Sequence, residues 1–131
     1  MRENSIDATD TRRLNEKVVE PTIVRGAGYA VVHWSNLDGT NRTSGEFVRM
    51  PGFKLQRVQI LGSFGGAVTI VVRNDEAGAT IVTLKDRSGQ PVCVMSTQTH
   101  QIAAPTDWVA PVAAVGVSDV DVLAVYERAP S

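Results

Sequence analysis

The sequence predicts an all-β fold: a jelly roll or related antiparallel β-sandwich of about eight or nine short strands, with an extended N-terminal arm. Three observations carry this expectation. Valine occurs 20 times and leucine 6 times, and β-branched side chains are stiff at χ1 and pack well on a pleated surface. No segment after Gly28 sustains a 3.6-residue apolar period. Turn clusters, from Asp38-Gly39-Thr40-Asn41 to Pro105-Thr106-Asp107, divide the chain into short runs at regular spacing.

Residues 1–28 form the expected arm and residues 29–131 the body. The first 26 residues hold five basic and five acidic side chains and no aromatic residue. Their apolar residues are too sparse for a core. A short helix over Thr11–Val19, capped by Asp10 or Thr11 and ended by Pro21, fits this stretch. So does a frayed terminus, or an arm that orders only against a partner. Gly26-Ala27-Gly28 reads as a hinge into the body.

Strands are then expected over 29–34, 46–50, 56–61, 67–73, 80–84, 91–95, 99–103, 108–115 and 119–127. Alternation assigns faces. Val68, Ile70 and Val72 oppose Thr69, Val71 and Arg73, and Val58 and Ile60 oppose Arg57 and Gln59. Val120, Val122, Ala124 and Tyr126 make one stripe, with the other face half-wet at Asp119 and Asp121 and covered at Leu123 and Val125. A one-residue slip would swap these faces, so the pattern fixes register. Gly62-Ser63-Phe64-Gly65-Gly66 reads as a hairpin turn; it lacks the residues of a phosphate cradle. The segment 108–115 is apolar on both faces and contains Pro111, which cannot donate to a ladder. That marks an edge strand or one with a break, and an apolar edge needs a cover, either its own arm or another subunit.

The chain has 131 residues, enough for one domain, and a formal charge of −1. Such a balance excludes an electrostatically driven nucleic-acid binder and a polybasic membrane-surface protein. A single cysteine forms no intramolecular disulfide, which points to a reducing compartment. Cys93, within Val92-Cys93-Val94-Met95, is expected to be a buried inert thiol. The opening residues carry no apolar signal segment. Asn41-Arg42-Thr43 matches the glycosylation triplet and reads as a polar loop.

No catalytic constellation emerges. His33 and His100 are far apart, with no second ligand at metal spacing, and read as structural or hydrogen-bonded strand residues. Asp75-Glu76 and Asp119 with Asp121 read as solvated charges, without the spacing of a dedicated calcium loop. No catalytic residue, cofactor or metal site is assigned. Candidate partner-binding residues are Arg12, Arg13, Leu14, Val18, Val19 and Ile23 on the arm, and Trp108, Val109 and Val112 on the apolar strand.

The middle of the chain has a recognisable order. Trp34 is followed by Asp38-Gly39-Thr40, Gly45, Met50-Pro51-Gly52-Phe53, then Val58-Gln59-Ile60-Leu61-Gly62-Ser63-Phe64-Gly65-Gly66 and Val68-Thr69-Ile70. Asn74-Asp75-Glu76, Thr83-Leu84-Lys85-Asp86 and Gly89 complete it. Over residues 34–89 this resembles small virion structural proteins of tailed bacteriophages, including capsid decoration (cement) proteins with a jelly-roll-like fold. The resemblance implies a non-enzymatic protein on the outer capsid surface of the virion, assembled in the host bacterial cytoplasm. Its implied partners are the major capsid protein, whose subunits it bridges, and copies of itself in a homotrimer, with no nucleic acid and no membrane. Two alternatives stand beside it: a tail or head–tail junction protein, and a carbohydrate-binding module recognising host surface glycans through Trp34 or Trp108.

Overall fold

Alternating β-branched side chains decide where this chain becomes strand. The computed structural model describes residues 18–39, 44–73, 81–102 and 108–128. In chain order the strands are β1 (Val18–Val19), β2 (Thr22–Arg25), β3 (Tyr29–Leu37), β4 (Ser44–Gly45), β5 (Phe53–Ser63), β6 (Val68–Arg73), β7 (Val82–Thr83), β8 (Cys93–Val94), β9 (Gln98–Gln101), β10 (Trp108–Ala113) and β11 (Asp119–Arg128). One sheet runs β1-β4-β10-β6-β7, with β8 also paired to β6; the other runs β2-β3-β11-β5-β9. The pairings are antiparallel except for β1 with β4. The architecture is the all-β sandwich that the composition predicts.

The core lies between the sheets. β11 is the spine of its sheet, paired along its length with β3 and β5. Val120, Val122, Ala124 and Tyr126 are all buried, while Asp119 is exposed and Asp121, Leu123 and Val125 are half-buried. The buried stripe is the one read from the sequence; the other face, expected to be covered at Leu123 and Val125, is only half-buried there, as at Asp121. Opposite them stand Val68, Ile70, Val92 and Val109. Each such fully buried side chain contributes about 1.5–3 kcal/mol relative to exposure.

Several expectations need correction. Val18–Gly28 is not an arm separate from the body. β1 pairs with β4 (Val18 with Ser44, Val19 with Gly45), and β2 pairs with β3 (Thr22 with His33 through Arg25 with Ala30). Val18 and Val19 are strand rather than helix; the rest of the proposed helix, with Arg12, Arg13 and Leu14, lies outside the described residues. Pro21 sits where the chain passes from one sheet to the other. The strand expected over 46–50 is reduced to one bridge, Val48 with Val109, because the extended segment lies earlier, at Ser44–Gly45.

The segment Gly62–Gly66 is not a hairpin turn. It carries the chain from β5 in one sheet to β6 in the other. Its glycines let it press on the turn after β10: a Cβ at Gly66 would lie 2.5 Å from the Val115 carbonyl oxygen, and Gly116 takes a φ of +105°. Cys93 is exposed, not buried. Strict alternation turns Val92 and Val94 inward and leaves Cys93 and Met95 facing out.

β10 is not an edge. It lies between β4 and β6. Val109 exchanges both backbone hydrogen bonds with Val48, each 2.9 Å, so Pro111, two residues on, also turns its nitrogen toward that neighbour. There the neighbouring chain, at Glu46 and Phe47, has left the strand, and the missing N–H removes no ladder bond. The break is in the partner strand, and the cover for β10 comes from its own chain.

Candidate functional site

The outward face of β10 and the segment that crosses beside it make a cleft of about 490 Å³. Alternation places it there. Val109, Pro111 and Ala113 are buried on the core side; on the other face Trp108 and Val112 are half-buried and Ala110, between them, is buried. Register then sets neighbours: Trp108 lies opposite Arg73 of β6, and Val112 lies opposite both Thr69 of β6 and Ser44 of β4.

The second wall depends on a wedge beneath it. Trp34, fully buried on β3, reaches across the core and donates its indole N–H to the Glu46 carbonyl at 2.9 Å. Gly45 is seated on that indole. A Cβ there would lie 2.7 Å from both Trp34 Nε1 and Pro111 Cδ, so only glycine lets the chain come down onto the ring. The Glu46 N–H donates to the Val19 carbonyl at 2.8 Å, which ties β1 to the same segment. With Gly45 and Glu46 held, Phe47 stands at the cleft. The Arg73 guanidinium lies over its ring at 3.9 Å, a cation–π contact. The Arg73 Nε is buried and has no hydrogen-bond partner among the described residues. Val18 also lines the cleft.

The candidate partner-binding residues therefore separate. Val18, Trp108 and Val112 converge on the cleft. Ile23 lies apart, on the edge strand β2. Val19 and Val109 are buried in the core, not on an outer face. Trp34, a candidate glycan contact, is also core and is corrected on that ground. Glu46, Phe47 and Arg73 were not singled out from the sequence. The signal for Arg73 was its place on the outward face of β6; nothing local marks Glu46 or Phe47.

Two polar clusters lie elsewhere. Asp86, in the turn between β7 and β8, accepts hydrogen bonds from the Ser88 hydroxyl (2.7 Å), the Ser88 N–H (2.9 Å) and the Gln90 N–H (2.9 Å). His100 Nδ1 on β9 lies 2.8 Å from its other oxygen. The Ser88 hydroxyl, then His100 and the Gln90 N–H, hold the Asp86 carboxyl well below the usual carboxylate range. The Ser88 hydroxyl bonds the carboxylate and not the imidazole, so the arrangement clamps a turn and presents no activated nucleophile. In the second cluster, Ser35 and Asn36 bulge opposite Asp121. Asn36 takes a φ of +58°, a conformation asparagine tolerates. Asp121 accepts its N–H at 3.0 Å and lies 3.2 Å from His33 Nε2. Asp121 thus secures a bulge. Among the described residues no three His, Cys, Asp or Glu side chains converge as a metal site. Asp75-Glu76 lies outside them.

No known family profile and no curated protein matches the chain. Among solved structures it is similar to a cupin domain from Bordetella pertussis, at 10% identity over 87% of this chain and 97% of that one, with a TM-score of 0.47. A cupin protein from Bacteroides fragilis follows at 14% identity, 85% and 78% coverage and a TM-score of 0.39. A family 29 carbohydrate-binding module is similar at 16% identity, 83% and 76% coverage and a TM-score of 0.33.

Proposed function

We propose that this chain is a virion structural protein of a tailed bacteriophage, a capsid decoration (cement) protein. It binds the outer surface of the head as a homotrimer, bridges major capsid protein subunits, and acts by binding and not by catalysis. One structural observation supports a docking role above the others. Apolar side chains on β2 and at the start of β3 stand in solvent: Ile23 is 39% exposed, Val24 54% and Tyr29 47%. Apolar side chains on edge strands are an aggregation liability in an isolated protein, and a docked surface removes it. The phage assignment itself rests on the resemblance over residues 34–89. Its residues sit in the framework, with Trp34 and Gly45 in the wedge, Pro51-Gly52 at the entry to β5 and Gly62–Gly66 in the crossing between sheets. Repeated contacts of modest strength across a lattice gain from multivalency.

The test is binding to purified heads that lack the protein. The full chain is expected to bind at roughly hundreds of copies per particle, as lattice symmetry requires, and to raise the temperature at which heads disrupt. Ile23→Asp with Val24→Asp is expected to stay folded and to lose both effects. A copy number of about a dozen or fewer would move the protein to the tail or head–tail junction. Failure to associate with particles at all would refute the reading.

A further inference from the structure

We propose that the cleft beside Trp108 is a binding site for a neutral hexopyranose ring of a glycan. This goes beyond head binding, which the proposed function gives to the exposed apolar residues of β2 and the start of β3, and it does not depend on it.

A pyranose has an apolar C–H face and a rim of hydroxyls. A site for it needs a flat apolar wall, a floor low enough to admit the ring, and donors and acceptors around the edge. The cleft supplies all three. Trp108 offers an indole wall, and Phe47, stiffened by the guanidinium stacked on it, stands in the same lining. The floor is Gly45 and Ala110, which reach least far from the backbone. Ser44, Glu46 and Arg73 also line the cleft and bring a hydroxyl, a carboxylate and a guanidinium. Charged groups bonding to neutral hydroxyls make the stronger kind of hydrogen bond. The volume of about 490 Å³ lies within the range of small-molecule sites, about 300–1,000 Å³.

Two features choose this occupant over others. Glu46 and Arg73 border the cleft together, so its charge is balanced. A sugar acid would gain from one and be repelled by the other. An added peptide strand needs an open sheet edge with free backbone groups. The cleft lies instead over β10, whose ladder groups are already engaged with β6 and at Val48. Recognition here falls to side chains. The wedge beneath also provides preorganisation: Trp34 and Gly45 fix the segment that carries Glu46 and Phe47, so little ordering remains to be done on binding.

The intact protein is titrated with maltotriose, cellotriose and the N-acetylglucosamine trimer, followed by ligand-observed saturation transfer and by its two indole N–H resonances. Saturable binding is expected for at least one sugar. The Trp108 indole should shift while the buried Trp34 indole, bonded to the Glu46 carbonyl, stays in place. Trp108→Ala should weaken binding by roughly tenfold, the scale of losing an aromatic contact, and Glu46→Gln should weaken it severalfold. Glu46→Gln keeps the backbone carbonyl that holds Trp34, so it reports on the cleft even if the tryptophan variant does not fold. Absence of saturation transfer for all three sugars overturns the proposal, as does a shift of neither indole or an affinity that neither substitution changes. Loss of head binding in Trp108→Ala, without any sugar binding by the wild type, would make the cleft a capsid-protein contact and also overturns it. Loss of sugar binding with head binding retained separates this site from the decoration surface.

Discussion

Gly45→Ala puts one methyl group into the contact between Trp34 and Pro111. The added Cβ would lie 2.7 Å from an atom of each ring, both rings are held in the packed interior, and neither can withdraw as a flexible chain end would. Trp34 is fully buried, and Pro111 is fixed in β10. Forcing a methyl into such a place costs about 1–3 kcal/mol. Against this, alanine reduces the freedom of the unfolded chain, which returns about 0.4–1 kcal/mol. The expected net loss is about 1–2 kcal/mol, or a Tm lower by about 3–10 °C in a domain of this size. The assay is urea and thermal unfolding followed by tryptophan fluorescence. Gly28→Ala is the matched control: nothing lies within 4 Å of its added Cβ and its φ is not positive. It should be neutral or stabilising by up to about 1 kcal/mol. If Gly45→Ala unfolds together with wild type, the wedge does not constrain the chain as argued.

Tyr126 is buried in the core, and its hydroxyl has no hydrogen-bond partner among the described residues. An unmet buried hydroxyl costs about 1–3 kcal/mol, so Tyr126→Phe should be neutral or stabilising by about 1 kcal/mol in urea unfolding, whereas a clear loss would reveal an interaction of the phenol that the structure does not contain. Asp86 should make the turn at residues 86–90 acid-sensitive. Its folded carboxyl lies below the ordinary range because it accepts from the Ser88 hydroxyl, His100 and Gln90. The stabilisation is therefore complete above the ordinary carboxylate value and is lost as pH falls from there through the folded value. Amide exchange at Ser88 and Gln90 should rise in strong acid before the core opens, and Asp86→Ala should show that faster exchange already at neutral pH.

Much of the sandwich was legible because burial on one face leaves a two-residue period in the sequence. Val120, Val122, Ala124 and Tyr126 are such a stripe, and so are Val68 and Ile70. The misreadings have one cause: a local property stood in for a partner that lies far along the chain. Cys93 sits in an apolar run, and only the pairing of β8 with β6 shows which of its residues face out. Pro111 suggested an edge because proline lacks a donor. The gap that accommodates it belongs to Glu46 and Phe47. Val18–Arg25 is too short and too mixed in polarity to show alternation, yet two brief pairings, one in each sheet, attach it to the body.

The cleft was illegible for a related reason, and that reason shows how it is built. Its walls come from β10, β6 and the chain after β4, so no window of sequence contains it. The core makes it possible. Trp34 belongs to the opposite sheet and satisfies its one polar atom on the Glu46 carbonyl, so the interior determines where Glu46 and Phe47 stand. Pro111 carries the same dependence from below, since its ring packs where Gly45 has no side chain. A substitution beneath the cleft, such as Gly45→Ala, should therefore alter recognition at the cleft while changing none of the outward side chains. A substitution such as Glu46→Gln should alter recognition and leave stability within the small range expected of a surface change.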